Sequence, residues 1–182
     1  GYGRKFVHAG YKEWGGKMHD DLIDGVNWLI AADIADAKRI AIMGASYGGY
    51  STLAGLTLTP DIFVAGVSSV GISNLISHHD RYPPYWSKAR FRARVGDPQK
   101  GVDMLKSRSP LFHVERIKAP LLLAHGANDV RVKAGESEQM AAALRRINKP
   151  VEYTLYPDEG HRQWRPENRL HFYAKVEEFL AK

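Results

Sequence analysis

Three residues carry the chemistry this sequence offers: Ser46, Asp129 and His161, in that order along the chain. A serine hydroxyl is a poor nucleophile until a base within hydrogen-bond reach takes its proton. An imidazole titrating near neutrality does that, and a carboxylate fixes the imidazole tautomer and steadies the imidazolium. Ser46 stands in the run Gly44-Ala45-Ser46-Tyr47-Gly48-Gly49-Tyr50. An apolar run, Arg39-Ile40-Ala41-Ile42-Met43, comes before it and reads as a buried strand; Ser51-Thr52-Leu53-Ala54-Gly55-Leu56 comes after and reads as a helix. Strand, Gly-x-Ser-x-Gly, helix is the context in which a sharp turn pushes a serine hydroxyl out of a sheet. The pattern predicts a strained backbone at Ser46, and it gives Gly44 and Gly48 the task of avoiding a Cβ collision with the neighbouring strand or helix. The helix opening presents N–H groups and a positive dipole end to a developing oxyanion. The same turn also suits a phosphate, or a plain strand-to-helix connection.

The elements that must position these residues follow from periodicity. Trp14, Met18, Leu22, Val26, Leu29 and Ile30 fall at helical spacing across residues 14–32, and Asp20, Asp21 and Asp24 suit the early turns of that helix rather than a metal cluster. Buried strands are predicted over Phe63-Val64-Ala65-Gly66-Val67-Ser68-Ser69-Val70, Pro120 to His125 and Val151 to Tyr156. Helices are predicted over residues 135–147, with Met140, Leu144 and Ile147 on one face, and after Pro166, with Phe172, Val176, Phe179 and Leu180 forming a stripe. Residues 1–13 show no clean period. An excursion over residues 72–116 is long enough to hold helices of its own and to cap a site. The adjacent His78 and His79 within it read as loop histidines, since neighbouring side chains rarely converge on one ion. Strands alternating with helices imply right-handed crossovers and a parallel sheet, and in such sheets ligands gather beyond the carboxyl ends of the strands. Ser46, Asp129 and His161 each follow a strand end, and the order Ser, Asp, His is that of the α/β-hydrolases. Taken singly, Asp129 reads equally as a turn cap and His161 as a loop histidine. His125 competes for the role of base but lies within a strand.

Composition narrows the rest. The chain has 182 residues, is 44% hydrophobic and carries a net charge of +6, with its 26 lysines and arginines scattered among 20 acidic residues. That describes one globular domain with a real core. The densest basic stretch, residues 88–94, reads as a solvated helix face, and no nucleic-acid-binding signature accompanies it. There is no cysteine, so no disulfide, thiolate nucleophile or zinc–thiolate site is available. No apolar run approaches the ~18 residues of a membrane span and no signal peptide is present, which leaves cytoplasm and periplasm both open.

The chain resembles the catalytic domain of the prolyl oligopeptidase family of serine peptidases, nearest its acylaminoacyl-peptidase and dipeptidyl-peptidase-like bacterial members. Matching residues run almost end to end, among them Gly1-Tyr2-Gly3, Trp14-Gly15, Asp20-Asp21, the Ser46 run, Ile72-Ser73-Asn74, Pro83-Pro84-Tyr85-Trp86, Arg94-Val95-Gly96-Asp97-Pro98, His125-Gly126, Asp129 with Arg131-Val132, and Asp158-Glu159-Gly160-His161. The resemblance implies a peptidase acting on peptide or acyl-peptide bonds through Ser46, His161 and Asp129, with no cofactor and no metal. An esterase on the same fold is the enzyme alternative, and an inert or partner-binding half is the non-enzyme one. It further implies that Arg131 contacts a substrate carbonyl and that Tyr85 and Trp86 line a specificity pocket, although ordinary loop packing explains those two as well. Arg162 stands where many relatives carry glycine, which makes that edge of the site tighter or more charged. By the same resemblance, residues 1–182 are the C-terminal half of an α/β-hydrolase domain, a mostly parallel sheet flanked by helices. The upstream strands, the loop giving a second oxyanion donor and a β-propeller would then precede Gly1. The Tyr47 N–H is the oxyanion donor left to this chain. The Ser46 strand would be an exposed edge, through which homo-oligomers are expected.

Overall fold

A computed structural model describes residues 1–163 and 165–182. Four parallel strands form one sheet in the order β1 (Ala41–Ala45), β2 (Ala65–Ser69), β3 (Leu121–Gly126) and β4 (Val151–Tyr156). β3 shows how sequence builds the layers. Its residues alternate between faces, so Leu121 and Leu123 pack with Leu53, Leu56, Met140 and Leu144, while Leu122 and Ala124 pack with Phe172, Val176 and Phe179. α3 (Tyr47–Leu58) and α7 (Gly135–Arg146) thereby cover one face, and α8 (Pro166–Leu180) covers the other. A sheet clothed on both faces explains why β3 is apolar without interruption.

The expected strands and helices are present with boundaries shifted by up to four residues, but β1 and β4, expected as buried strands, are half-buried or exposed at every residue except Tyr156, because β1 has a neighbour on one side only and β4 lies at the other end of the sheet. The first helix to depart from them is α1 (Gly3–Ala9), where the sequence shows no period; every residue of it is exposed, so there is no apolar face to read. α2 (Lys17–Ala31) buries only His19, and Leu22 and Trp28 of its predicted apolar set are exposed. At α7 and α8 the stripes shorten: Ile147 caps α7 in a partly exposed position, and Leu180 is exposed.

The excursion between β2 and β3 holds α4 (Leu75–Asp80), α5 (Lys88–Arg94), α6 (Val102–Ser107) and a 3-10 segment, Pro110–Arg116. Asn74 caps α4, its side chain accepting from the Ile76 and Ser77 N–H groups, and Ser87 caps α5. The basic residues of α5 face outward around a buried Phe91. Phe91, Val95, Leu105, Ile72 and Leu75 form a second core that reaches Tyr50 of α3 and Val132 of the turn after β3. The excursion is therefore fastened to the two elements that carry Ser46 and Asp129. His78 and His79 sit in α4, both buried, and not in a loop as the sequence suggested; the Asn74 cap starts a helix there that periodicity over six residues cannot announce.

Candidate active site

Ser46 occupies the turn between β1 and α3 with φ 59° and ψ −115°, a left-handed conformation that a side-chain-bearing residue adopts only under constraint. Its N–H donates to the Ser69 carbonyl at 2.9 Å and its carbonyl accepts from the Tyr50 N–H at 3.0 Å, so strand and helix both hold it. A Cβ on Gly44 would run into the backbone of Gly48, which accounts for the first glycine. The second close approach is at Gly49, where a Cβ would lie 2.7 Å from the Gly71 Cα and 2.8 Å from the Ser69 carbonyl oxygen. Gly48 meets nothing within 4 Å. The steric duty assigned to Gly48 from the motif thus belongs to Gly49, because the helix face turned toward β2 begins one residue later.

Asp129 closes the turn after β3. Its buried carboxylate accepts at Oδ1 from the N–H groups of Arg131 (2.8 Å) and Val132 (3.0 Å), and Oδ2 lies 2.7 Å from His161 Nδ1. Burial by itself would push this carboxyl up. The imidazole donors at His125 and His161 and the N–H groups of Val132 and Arg131 outweigh it and hold the group well below the ordinary carboxylate range. His161 lies in the turn after β4, with Nε2 2.9 Å from Ser46 Oγ. An ionised carboxylate only accepts, so Nδ1 carries the ring proton and Nε2 is free to accept from the serine hydroxyl.

The two turns are zipped together by their backbones. Ala127 N–H donates to the Tyr156 carbonyl and Asn128 N–H to the Glu159 carbonyl, both at 2.9 Å. A Cβ on Gly126 would collide with the Gly160 carbonyl and come within 2.6 Å of that of Glu159, so glycine is what lets the Asp129 and His161 turns touch. The Glu159 carboxylate accepts from the Arg165 N–H and from Asn168 Nδ2, tying the His161 turn to the start of α8.

The remaining candidates fall in different places. Tyr47 is the first residue of α3, where a backbone N–H has no intrahelical acceptor. Its ring packs on Trp14 and Tyr50, and its hydroxyl lies 3.8 Å from Met18 Sδ. Arg131 is exposed, and its guanidinium makes no hydrogen bond or ion pair among the described residues. Tyr85 and Trp86 lie between α4 and α5. Trp86 packs on Tyr82 with ring centroids 4.9 Å apart, Tyr85 is exposed, and neither bonds to Ser46, Asp129 or His161. Arg162 is exposed beside Arg169, Phe172 and Tyr173 along a cleft of about 390 Å³ bounded by Met43, Gly44 and Ala45. His125, the competing base, is fully buried and makes no bond to Ser46; Nδ1 lies 2.7 Å from Ser137 Oγ and Nε2 2.9 Å from the Val132 carbonyl.

Two features near the site have no local sequence signal. Burial takes the pKa of His78 down to about 4 against the pull of the Asp129 charge, and the neighbouring His79 and His161 push it the same way as burial. Its ring meets those of Tyr82 and Phe91 edge-on. Glu136 of α7 is buried with five donors around its carboxylate: the N–H groups of Ser73 and Asn74, the hydroxyls of Ser73 and Ser77, and Gln139 Nε2. Those partners bind the start of the excursion to the helix that follows Asp129. Apart from Gln139, all of them lie about sixty residues away, so the sequence around Glu136 reads as an ordinary helix.

The whole chain, residues 1–182, matches the model of the prolyl oligopeptidase family. Among curated proteins it is 50% identical over 185 residues to dipeptidyl aminopeptidase BIII of Pseudoxanthomonas mexicana, covering 100% of this chain and 27% of that one. Among solved structures it superposes with a TM-score of 0.94 and 32% identity on a puromycin-hydrolyzing peptidase of Mycobacterium tuberculosis, covering 99% of this chain and 27% of that one. An acylaminoacyl peptidase of Pyrococcus horikoshii gives a TM-score of 0.90 at 29% identity, with 100% and 30% covered. The chain spans about a quarter of the length of the curated relatives it matches.

Proposed function

The chain belongs to the prolyl oligopeptidase family, and from that premise we propose that it carries the nucleophile, base and orienting acid of a serine peptidase that cleaves peptide or acyl-peptide bonds. One observation carries the reading: the unbroken path from Ser46 Oγ to His161 Nε2 at 2.9 Å and from His161 Nδ1 to Asp129 Oδ2 at 2.7 Å. His161 Nε2 takes the hydroxyl proton as Oγ attacks the carbonyl carbon, and the Tyr47 N–H donates to the oxygen that gains charge. The imidazolium then returns that proton to the leaving amine, which departs and leaves an acyl group on Ser46. Water, deprotonated by the same Nε2, attacks the acyl carbon, and the imidazolium returns the proton to Ser46 Oγ as the acid leaves. Asp129 stays ionised throughout and keeps the ring proton on Nδ1. Arg131, exposed and unpaired two residues beyond Asp129, is the donor for a substrate carbonyl, and Tyr85 and Trp86 form a wall of the specificity pocket. The substrate class includes aminoacyl and acyl amides, in keeping with the puromycin-hydrolyzing and acylaminoacyl peptidases above.

The test uses the full-length protein that contains this chain. A fluorophosphonate is expected to label Ser46, and Ser46→Ala to remove both label and turnover; a label that persists in Ser46→Ala overturns the assignment. An esterase has the same triad, so turnover of a peptide amide is compared with that of a simple aryl ester. Ester cleavage without amide cleavage would replace the peptidase reading.

A further inference from the structure

The proposed chemistry leaves one buried imidazole without a task. His125 is the penultimate residue of β3, is completely enclosed, and lies four residues before Asp129. Its Nε2 faces two groups, the Val132 carbonyl at 2.9 Å and Asp129 Oδ2 at 3.5 Å. A carbonyl and an ionised carboxylate both only accept, so Nε2 must carry the proton. On the other side Nδ1 lies 2.7 Å from the hydroxyl of Ser137, itself buried on α7. In a neutral ring Nδ1 is then the acceptor and Ser137 the donor. The surroundings thus place a proton on Nε2, and in a neutral ring that is the tautomer opposite to that of His161.

What this ring touches matters more than its own state. Val132 is gripped at both ends: its carbonyl takes the His125 proton and its N–H donates to Asp129 Oδ1. The Asp129 carboxylate therefore has Oδ1 fixed by a loop that His125 fixes in turn. Oδ2 sits between two imidazoles, with His161 at 2.7 Å in front and His125 at 3.5 Å behind. Rotation of the carboxylate away from His161 would break the Oδ1 bonds and turn an oxygen away from the one proton behind it. An apolar side chain of similar size in place of His125 would leave the Val132 carbonyl buried and without its partner.

We propose that His125 is a positioning residue for Asp129: an imidazole, oriented by the Ser137 hydroxyl, whose Nε2–H locks the Val132 carbonyl and backs Oδ2, so that the carboxylate stays aimed at His161. The proposal rests on the triad reading above for its effect on turnover, while the tautomer it requires is independent of that reading.

Both parts are tested in the full-length protein. Nitrogen-15 shifts of the histidine rings are expected to show His125 with its proton on Nε2, as the Nε2–H tautomer in the neutral ring. A neutral ring with its proton on Nδ1 instead overturns the proposal whatever the enzyme does. His125→Leu is expected to lower kcat by about 10- to 100-fold, below the ~10⁴-fold that follows loss of tautomer control at the base itself. KM on the same peptide is expected to stay within about twofold, and the acid limb of the pH–kcat profile to move to lower pH, because an imidazolium with a loosened carboxylate gives up its proton more readily. His125→Gln, whose amide N–H reaches toward the Val132 carbonyl, recovers most of kcat; Ser137→Ala gives a loss of a few-fold with the limb displaced the same way. A lower melting temperature in His125→Leu with kcat and the acid limb unmoved would make His125 a packing residue and sink the proposal. If His125→Leu does not fold, Ser137→Ala decides: wild-type kcat and an unmoved limb overturn the proposal. Failure of the triad reading shows separately, as wild-type protein that a fluorophosphonate does not label at Ser46.

Discussion

The two sides of the site are built to different standards of enclosure. On the Asp129–His161 side, β3 is buried at every residue, the turns after β3 and β4 are joined backbone to backbone, and the Asp129 carboxylate is bonded at both oxygens. On the Ser46 side, β1 alternates between exposed and half-buried residues, pairs with β2 alone, and leaves Met43 47% exposed. Yet Ile40-Ala41-Ile42-Met43 is apolar on both faces, the composition of an interior strand. A strand's residue types report the environment it is suited to, and here that environment exceeds what β2 and α3 supply. The Asp129–His161 side is held by β2 and the excursion as well as by its own turns; the Ser46 side is held firmly only on the β2 side.

The largest effect expected is at the nucleophile. Ser46→Ala in the full-length protein should remove turnover by about 10⁶-fold, the scale seen when a triad nucleophile is lost, measured with a peptide substrate and a fluorophosphonate. The comparison itself is tested next, with residues 1–182 alone. An apolar, proline-free edge is the kind that natural proteins cover, so residues 1–182 alone should self-associate, and if the Tyr47 N–H is the one donor they bring to an oxyanion, turnover should fall by ~10²–10³ relative to the full-length protein. Solution mass and a peptidase assay decide. A stable, fully active monomer would mean that β1 is no worse provided for than β3, and the contrast drawn here would collapse.

The same contrast explains what the sequence made legible. β2, β3, α7 and α8 are readable because each turns apolar residues onto a neighbour, while β1 and α3 are readable from their uninterrupted apolar runs on either side of the Ser46 turn. The turn at Ser46 is readable because a positive φ beside glycines leaves a compositional trace. α1 leaves none, being exposed all round, and α4 is shorter than two turns. Glu136, Ser137 and His125 were beyond reach for another reason. A buried polar group is chosen by its partners, and those of Glu136 and His125 meet them only after the chain has folded. His125 was visible as a histidine near the site but not as one whose ring nitrogens are both engaged elsewhere.

Smaller effects sharpen the picture on the Asp129 side. Arg131 sits on the well-held turn but its guanidinium is unengaged, so Arg131→Ala should cost about 1.5–3 kcal/mol in kcat/KM on peptides, the scale of a charged hydrogen bond, and almost nothing on small esters that do not reach it. Equal losses on both substrates would mean that Arg131 supports the turn rather than the substrate. Asp129 also links stability to pH. Its folded pKa is depressed below the ordinary value of 3.8, so its contribution is complete above that value and is lost as pH falls through the folded pKa. Between pH 4 and pH 2 the wild-type melting temperature should therefore fall more steeply than that of Asp129→Asn, by about 2–4 °C for each kcal/mol lost. Parallel slopes would show that the carboxylate's bonds do not stabilise its ionised form.

The smallest expected effect is the most discriminating for the Ser46 side. Gly44 and Gly49 are closed to any side chain, but Gly48 opens onto empty space and lies inside α3 without a positive φ. In residues 1–182, Gly48→Ala should be neutral or should gain about 0.5–1 kcal/mol, the usual helix preference of alanine over glycine. The same substitution in the full-length protein asks what stands in that space. If Gly48→Ala is harmless there too, the nucleophile side is as open as it is here, and its looseness is a property of the site. If it lowers the melting temperature or slows labelling of Ser46, polypeptide outside residues 1–182 fills the gap beside Gly48. The asymmetry would then belong to the piece and not to the enzyme. Thermal melts of the two Gly48→Ala proteins, each against its own parent, separate these outcomes with a one-methyl probe placed two residues from the nucleophile.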